Sequence, residues 1–239
     1  MGTVTDAYRN SETITGFETV IGGSGADRLT GSDNADRLEG SAGDDTLFGS
    51  TGNDTLIGGD GVDTVSYAGY TGTLRIDLTN LTVTDTVTGK TDTLIGIENV
   101  IGGDGATIFI GTSGNDSIQG GAGNDTITMG TGRDTINGND GDDYVYFNGF
   151  DGNTDTVFGG SGFDIVDLSS QGSGVNFNNI GGNWQFYDSV ARSWNYINQF
   201  EGAVGTEFND SLQSDYWYNG AVYIDGNAGN DNIRAGTRG

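Results

Sequence analysis

Residues 40–63 read GSAGDDTLFGSTGNDTLIGGDGVD, a stretch in which glycine, aspartate and one aliphatic residue return every nine positions. Asp45, Asp54 and Asp63 are each followed two residues later by Leu47, Leu56 and Val65. Like charges at so fixed an interval repel unless something lies between them, so the spacing demands a physical cause.

Extended outward, the frame gives five contiguous nonapeptides from Gly22 to Ser66. Their sixth position is always aspartate (Asp27, Asp36, Asp45, Asp54, Asp63) and their eighth always aliphatic (Leu29, Leu38, Leu47, Leu56, Val65). A second block starts at Gly102, with Thr107 in place of its first aspartate and then Asp116, Asp125, Asp134 and Asp143. It skips three residues (147–149) and resumes with Asp155 and Asp164. A third block holds Asp210 and Asp231. A period of nine with one inward aliphatic excludes an amphipathic helix, whose apolar stripe recurs at three and four. It fits a solenoid in which positions seven to nine form a short strand and the glycine-rich part a turn. Two nonapeptides complete a coil, and parallel stacking at about 4.8 Å sets Asp27 beside Asp45, Asp36 beside Asp54 and Asp45 beside Asp63.

Composition limits the partners. Only 33% of the 239 residues are hydrophobic and 45 are glycine, so the core is small. Nine basic residues against 34 acidic ones give a net charge of −25, which disfavours nucleic acid and anionic membrane. With no cysteine and no histidine, disulfides, thiolate chemistry and the usual transition-metal ligands are absent. No apolar run approaches the roughly 20 residues of a membrane span, and MGTVTDAYRN lacks the pattern of a secretory signal. Such a chain does not offset its ordering entropy by burial alone. A divalent cation between stacked carboxylates supplies the missing free energy. Calcium, with six to eight oxygen ligands and forgiving geometry, suits carboxylate pairs and turn carbonyls better than magnesium does.

The repeats resemble the RTX (repeats-in-toxin) calcium-binding family, whose signature is GGxGxDxUx. The resemblance implies an all-β, right-handed parallel β-roll, interrupted here by β-structured inserts, and several Ca2+ ions between its turns. It also implies folding after type I secretion into calcium-rich surroundings. On that pattern the ligands are the position-six carboxylates named above, with backbone carbonyls at positions one, three and five. These are Gly22, Ser24 and Ala26; Gly40, Ala42 and Asp44; Gly49, Thr51 and Asn53; Gly111, Ser113 and Asn115; and Gly120, Ala122 and Asn124. Departures mark weaker sites: Asn34 replaces a glycine, Thr107 offers Asp125 no carboxylate, and the three-residue insertion disturbs the pairings of Asp134 with Asp155 and Asp143 with Asp164.

Each block is preceded by a similar lead-in: TGFETVIGG (15–23), IGIENVIGG (95–103) and NQFEGAVGT (198–206). Glu18, Glu98 and Glu201 each stand nine residues before the next position six. This makes Glu18 and Glu98 candidate ligands facing Asp36 and Asp116, solvated caps being the alternative reading. The expected organisation is a lead-in segment (1–21), an RTX block (22–66), a β spacer with the second lead-in (67–101), a second block (102–167), an aromatic-rich spacer with the third lead-in (168–204) and a truncated third block (205–239). Within the first spacer, TLRIDL (73–78) alternates, and LTVTDTVTGKTDTLIG reads as two threonine-rich strands around Thr88-Gly89-Lys90.

Trp184, Trp194 and Trp217 all lie late in the chain. They either seal the open end of the solenoid or form a platform for a glycan. The phosphate-binding, G-x-S-x-G and H-E-x-x-H motifs are absent. The carboxylate spacing is already accounted for by metal, so the chain is not expected to be an enzyme. Ala235–Gly239 reads as the start of a further coil, cut short. The expectation is a calcium-folded structural module of a secreted or cell-surface protein, meeting neighbouring copies or domains of its parent. Carbohydrate binding or adhesion is the alternative, and a part in a polysaccharide-modifying enzyme a more distant one.

Overall fold

The computed structural model describes residues 2–5, 11–14, 18–148, 151–180, 183–188, 193–214 and 223–235. Among them every regular element is a strand. The chain divides into two units, Met1–Ile108 with Ser117–Gly121, and Phe109–Asp116 with Ala122–Gly239.

In the first unit, the aliphatic residue of each repeat is the second residue of a three- to six-residue strand, and successive strands alternate between two parallel ladders. One ladder stacks Arg28–Thr30, Thr46–Phe48, Thr64–Ser66, Asn99–Ile101 and Ser117–Gly121, pairing Leu29 with Leu47, Leu47 with Val65, Val65 with Val100 and Val100 with Ile118. The other stacks Thr19–Ser24, Arg37–Ala42, Thr55–Asp60 and Thr91–Ile95, pairing Val20 with Leu38, Leu38 with Leu56 and Leu56 with Leu94. Partners within the contiguous repeats are two nonapeptides apart, so each coil is two repeats, as the period required. Leu29, Leu38, Leu47, Leu56 and Val65 are all fully buried. The core is thus a double file of aliphatic side chains, with position seven and position nine directed outward.

Glycine is required where coils approach most closely. Gly43 has φ +126, and a Cβ there would collide with the carbonyl of Gly25 in the preceding coil. The N-terminal hairpin Gly2–Thr5 and Ser11–Ile14 lies antiparallel on Arg28–Thr30, covering the edge of one ladder. Residues 67–90 leave the roll and return. Leu74–Asp77, Thr82–Asp85 and Thr91–Ile95 form an antiparallel meander, and the last of these strands rejoins the parallel stack beside Thr55–Asp60.

The second unit repeats this plan. One ladder runs Thr135–Asp140, Thr156–Ser161 and Ser193–Asn198. The other runs Thr126–Thr128, Tyr144–Tyr146, Ile165–Asp167, Gly202–Val204 and Tyr223–Asp225. The insert again ends as a meander, Asn176–Ile180, Asn183–Asp188 and Ser193–Asn198, whose last strand rejoins the stack. Both units are therefore all-β parallel rolls. The three extra residues at 147–149 do not shift the register: Ile136 still pairs with Val157 and Val145 with Val166.

Candidate metal centres

Position-six aspartates stack in two columns in each unit, and each has a fixed hydrogen-bonding role. The backbone N–H of one donates to Oδ1 of the aspartate one coil on: Asp27 to Asp45 at 2.7 Å, Asp36 to Asp54 at 2.8 Å and Asp45 to Asp63 at 2.8 Å. In the second unit the same bond joins Asp116 to Asp134 and Asp125 to Asp143. Asp134 to Asp155 at 2.9 Å and Asp143 to Asp164 at 2.8 Å cross the three-residue insertion intact. The expected disturbance of these two pairings does not occur. After the insertion Asp151 Oδ2 accepts the N–H of Gly132 in the preceding coil.

One carboxylate oxygen is thereby used within the protein. The other, Oδ2, has no hydrogen-bond partner at Asp45, Asp54, Asp63, Asp143 and Asp164, although each of these residues is at most 1% exposed. An anionic oxygen buried without a partner is costly. Each of these oxygens points into the space that a side chain on the repeat's first glycine would fill. A Cβ on Gly40 would strike the Asp45 carboxylate, and one on Gly138 would strike both Asp143 Oδ2 and the Gly159 carbonyl. A Cβ on Gly31 would lie 2.9 Å from Asp36 Oδ2 and 2.7 Å from the Gly49 carbonyl, and one on Gly22 would lie 2.8 Å from the Gly40 carbonyl. Carboxylate and carbonyl oxygens from adjacent coils thus converge on a pocket kept open by glycine. This donor set fits a hard, oxygen-seeking divalent cation. Among the described residues no three acidic side chains gather at one point, so each centre rests on carboxylates and turn carbonyls together.

The electrostatics agree. Burial pushes Asp54, Asp134 and Asp164 up to about 7; the backbone N–H each accepts offsets part of this, and neighbouring carboxylates add to the rise. Burial raises Asp143 and Asp155 to about 6, and raises Asp45 and Asp63 as well.

The sites are not equivalent. Asp36 Oδ2 accepts the N–H and hydroxyl of Ser32, Asp116 Oδ2 those of Thr112, and Asp210 the N–H and hydroxyl of Thr206. At these three repeats the position-two side chain caps its own aspartate. In the repeats of Asp45, Asp54, Asp63 and Asp143 position two is instead left-handed, at Ser41 (φ 85), Ser50 (φ 71), Gly59 (φ 123) and Asn139 (φ 74), and Oδ2 has no hydrogen-bond partner. β-branched threonine avoids that conformation, so Thr112 and Thr206 turn inward and cap.

Position five carries a second ladder that the sequence did not disclose. Its side-chain oxygen accepts the N–H of position five one coil later: Asp44 from Val62, Asn115 from Arg133, Asn124 from Asp142 and Asp142 from Phe163, all at 2.8 to 2.9 Å. The recurrence of Asn or Asp at this position was the available signal. Asn53 makes the same bond to Thr91 of the insert. Of the remaining expected ligands, Ala42 gives its carbonyl to the Gly25 N–H, while the Gly111 pocket faces Met129 O and Asp116 Oδ2. Glu18 lies beside Asp36 through the register of Thr19 with Arg37. Glu98 turns to the coil before it, where its Oε2 accepts the Asp63 N–H at 2.8 Å. Trp184 and Trp194 sit on paired antiparallel strands of the second insert, and Trp217 lies outside the described residues.

The family model described as RTX calcium-binding nonapeptide repeat (4 copies) matches residues 13–47, 39–69, 101–132, 130–153, 151–166 and 218–237. No curated protein matches the chain. Among solved structures, the extracellular lipase LipA from Serratia marcescens aligns with 20% identity and a TM-score of 0.28, covering 81% of this chain and 39% of that one. The chain therefore spans well under half the length of that protein.

Proposed function

Because the chain belongs to the RTX calcium-binding nonapeptide repeat family, we propose that it is a calcium-responsive folding and structural element of a larger exported protein. The observation that carries this reading is the set of buried Oδ2 atoms at Asp45, Asp54, Asp63, Asp143 and Asp164 that no protein group satisfies. Calcium bound there supplies positive charge that turns repulsion between coils into attraction. The chain's own part is to hold the carboxylate by its Oδ1, keep the pocket clear with glycine and present carbonyls from the next coil.

Ordering then follows by linkage, since an ion bound only by the folded state stabilises it as free calcium rises above the dissociation constant. For a site with affinity on the order of 0.1 mM, extracellular calcium near ~1 mM contributes about 1.4 kcal/mol. Several such sites decide the outcome for a chain whose small core leaves it marginal. At the low free calcium of a cytosol the charge of −25 keeps the chain expanded, which suits passage through an export channel. On this reading the repeats carry no catalytic step, and catalysis falls to other parts of the parent protein.

The test is far-UV circular dichroism during calcium titration of the chelated chain, with magnesium in parallel. Cooperative gain of β signal with calcium and little with magnesium is expected. A spectrum that does not respond to calcium would overturn the reading.

A further inference from the structure

Both inserts return to the roll through the same seven-residue frame, DTLIGIE at 92–98 and NYINQFE at 195–201. Six residues, rather than nine, separate the two residues that meet the aspartate columns. The first of each pair accepts a position-six N–H, Asp92 from Asp54 at 2.8 Å and Asn195 from Asp155 at 2.9 Å. The second does the same with a glutamate, Glu98 from Asp63 at 2.8 Å and Glu201 from Asp164 at 2.9 Å.

The two ends differ in what they leave over. Asp92 gives its other oxygen to the hydroxyl of buried Tyr67 at 2.8 Å, and Asn195 has an amide nitrogen in that place. Glu98 and Glu201 each use Oε2 on the backbone and keep a second carboxylate oxygen. Opposite them, Asp63 and Asp164 are fully buried, and their Oδ2 atoms have no hydrogen-bond partner. Those atoms point into the pockets of Gly58 and Gly159, where a Cβ would also strike the carbonyls of Gly96 and Gln199. Gly96 and Gln199 share the left-handed backbone, φ 61 and φ 60. For Gln199 that conformation costs roughly 1–2 kcal/mol, a strain that turns its carbonyl into the pocket.

We propose that Glu98 and Glu201 each complete a calcium site of non-repeat composition, with Asp63 Oδ2 and the Gly96 carbonyl in one unit and Asp164 Oδ2 and the Gln199 carbonyl in the other. In the second unit Asn195 closes the opposite column without an ion. The shortened turn explains the exchange of aspartate for glutamate, whose extra methylene restores the reach that three missing residues remove. The inference rests on the calcium reading above and adds to it which residues end each row of ions.

Calcium bound per chain, measured by equilibrium dialysis on the full 239-residue chain, tests it. Glu98→Gln and Glu201→Gln retain an acceptor for the backbone N–H and are each expected to lose one ion while keeping the calcium-loaded circular dichroism of the parent. Asn195→Asp is expected to gain one ion. If either glutamine variant fails to fold, Glu98→Asp and Glu201→Asp keep the charge at shorter reach and are expected to lose the same ion. Glutamate variants that bind the parental number of ions at parental affinity would overturn the glutamate sites, and an unchanged count in Asn195→Asp would overturn the ion-free closure. A parent chain that binds no calcium would instead overturn the proposed function itself.

Discussion

Oδ1 of Asp45 accepts the backbone N–H of Asp27 at 2.7 Å, while the N–H of Asp45 itself donates to Asp63. Asp45 therefore belongs to two coil junctions and Asp27 begins its column. An amide can take over the hydrogen bond, as Asn195 does for Asp155, but not the charge. Asp45→Asn is expected to raise the calcium midpoint of folding about tenfold, equivalent to ~1.4 kcal/mol, and Asp27→Asn to raise it less. Midpoints read from calcium titrations of both variants check this; equal shifts would contradict the column arrangement.

Acid should partly replace calcium. In the folded chain Asp54, Asp134 and Asp164 titrate at about 7, and Asp143 and Asp155 at about 6, against an ordinary value of 3.8. Between these limits the metal-free folded state holds more protons than the unfolded one, so its stability falls as pH rises. The contribution is fully present below about pH 4 and lost on passing through about pH 6 to 7. With chelator present, β signal is expected to be greater near pH 5 than at pH 7.5, and calcium binding at pH 6 is expected to release protons. A chelated chain whose spectrum is flat over this range would contradict the burial of these carboxylates.

A methyl group in a pocket distinguishes the space from the charge. A Cβ on Gly138 would occupy the point on which Asp143 Oδ2 and the Gly159 carbonyl converge. Gly138→Ala removes no carboxylate from the chain, yet it is expected to abolish one site and raise the calcium midpoint. Gly23→Ala is the contrast: its backbone is left-handed (φ 119), but nothing lies within 4 Å of the added atom. It should show only a conformational cost of ~1–2 kcal/mol, with the ion count unchanged in equilibrium dialysis.

These variants follow from features that differ in how far the sequence discloses them. The coil of two nonapeptides, the inward file from Leu29 to Val65 and the aspartate columns all follow from one period, because stacking translates an interval along the chain into a neighbour in space. The closures at Asp92 and Asn195 do not, since they lie on insert strands whose register is set by where a meander rejoins the roll. Glu98 was legible as a candidate, but its partner Asp63 was not, because the six-residue turn breaks the period. Capping by Ser32, Thr112 and Thr206 was hidden for another reason. It depends on whether position two adopts a left-handed backbone, and Ser41 does so where Ser32 instead caps Asp36.

The aliphatic file should be the metal-independent part of the stability. Leu56 is fully buried between Leu38 and Leu94 in adjacent strands of its ladder. Truncating it removes contacts with both neighbours in a stack where each coil is held mainly by the next. Leu56→Ala is expected to cost ~2–5 kcal/mol, seen as a lower melting temperature at saturating calcium. Ile95 flanks the same file but is 45% exposed, so Ile95→Ala should stay within about 0.5 kcal/mol of the parent. Because the core and the ions stabilise the same folded state, Leu56→Ala should also move the calcium midpoint upward while leaving the number of ions bound at saturation unchanged. A reduced ion count in that variant would show that the file positions the carboxylates rather than simply holding the coils together.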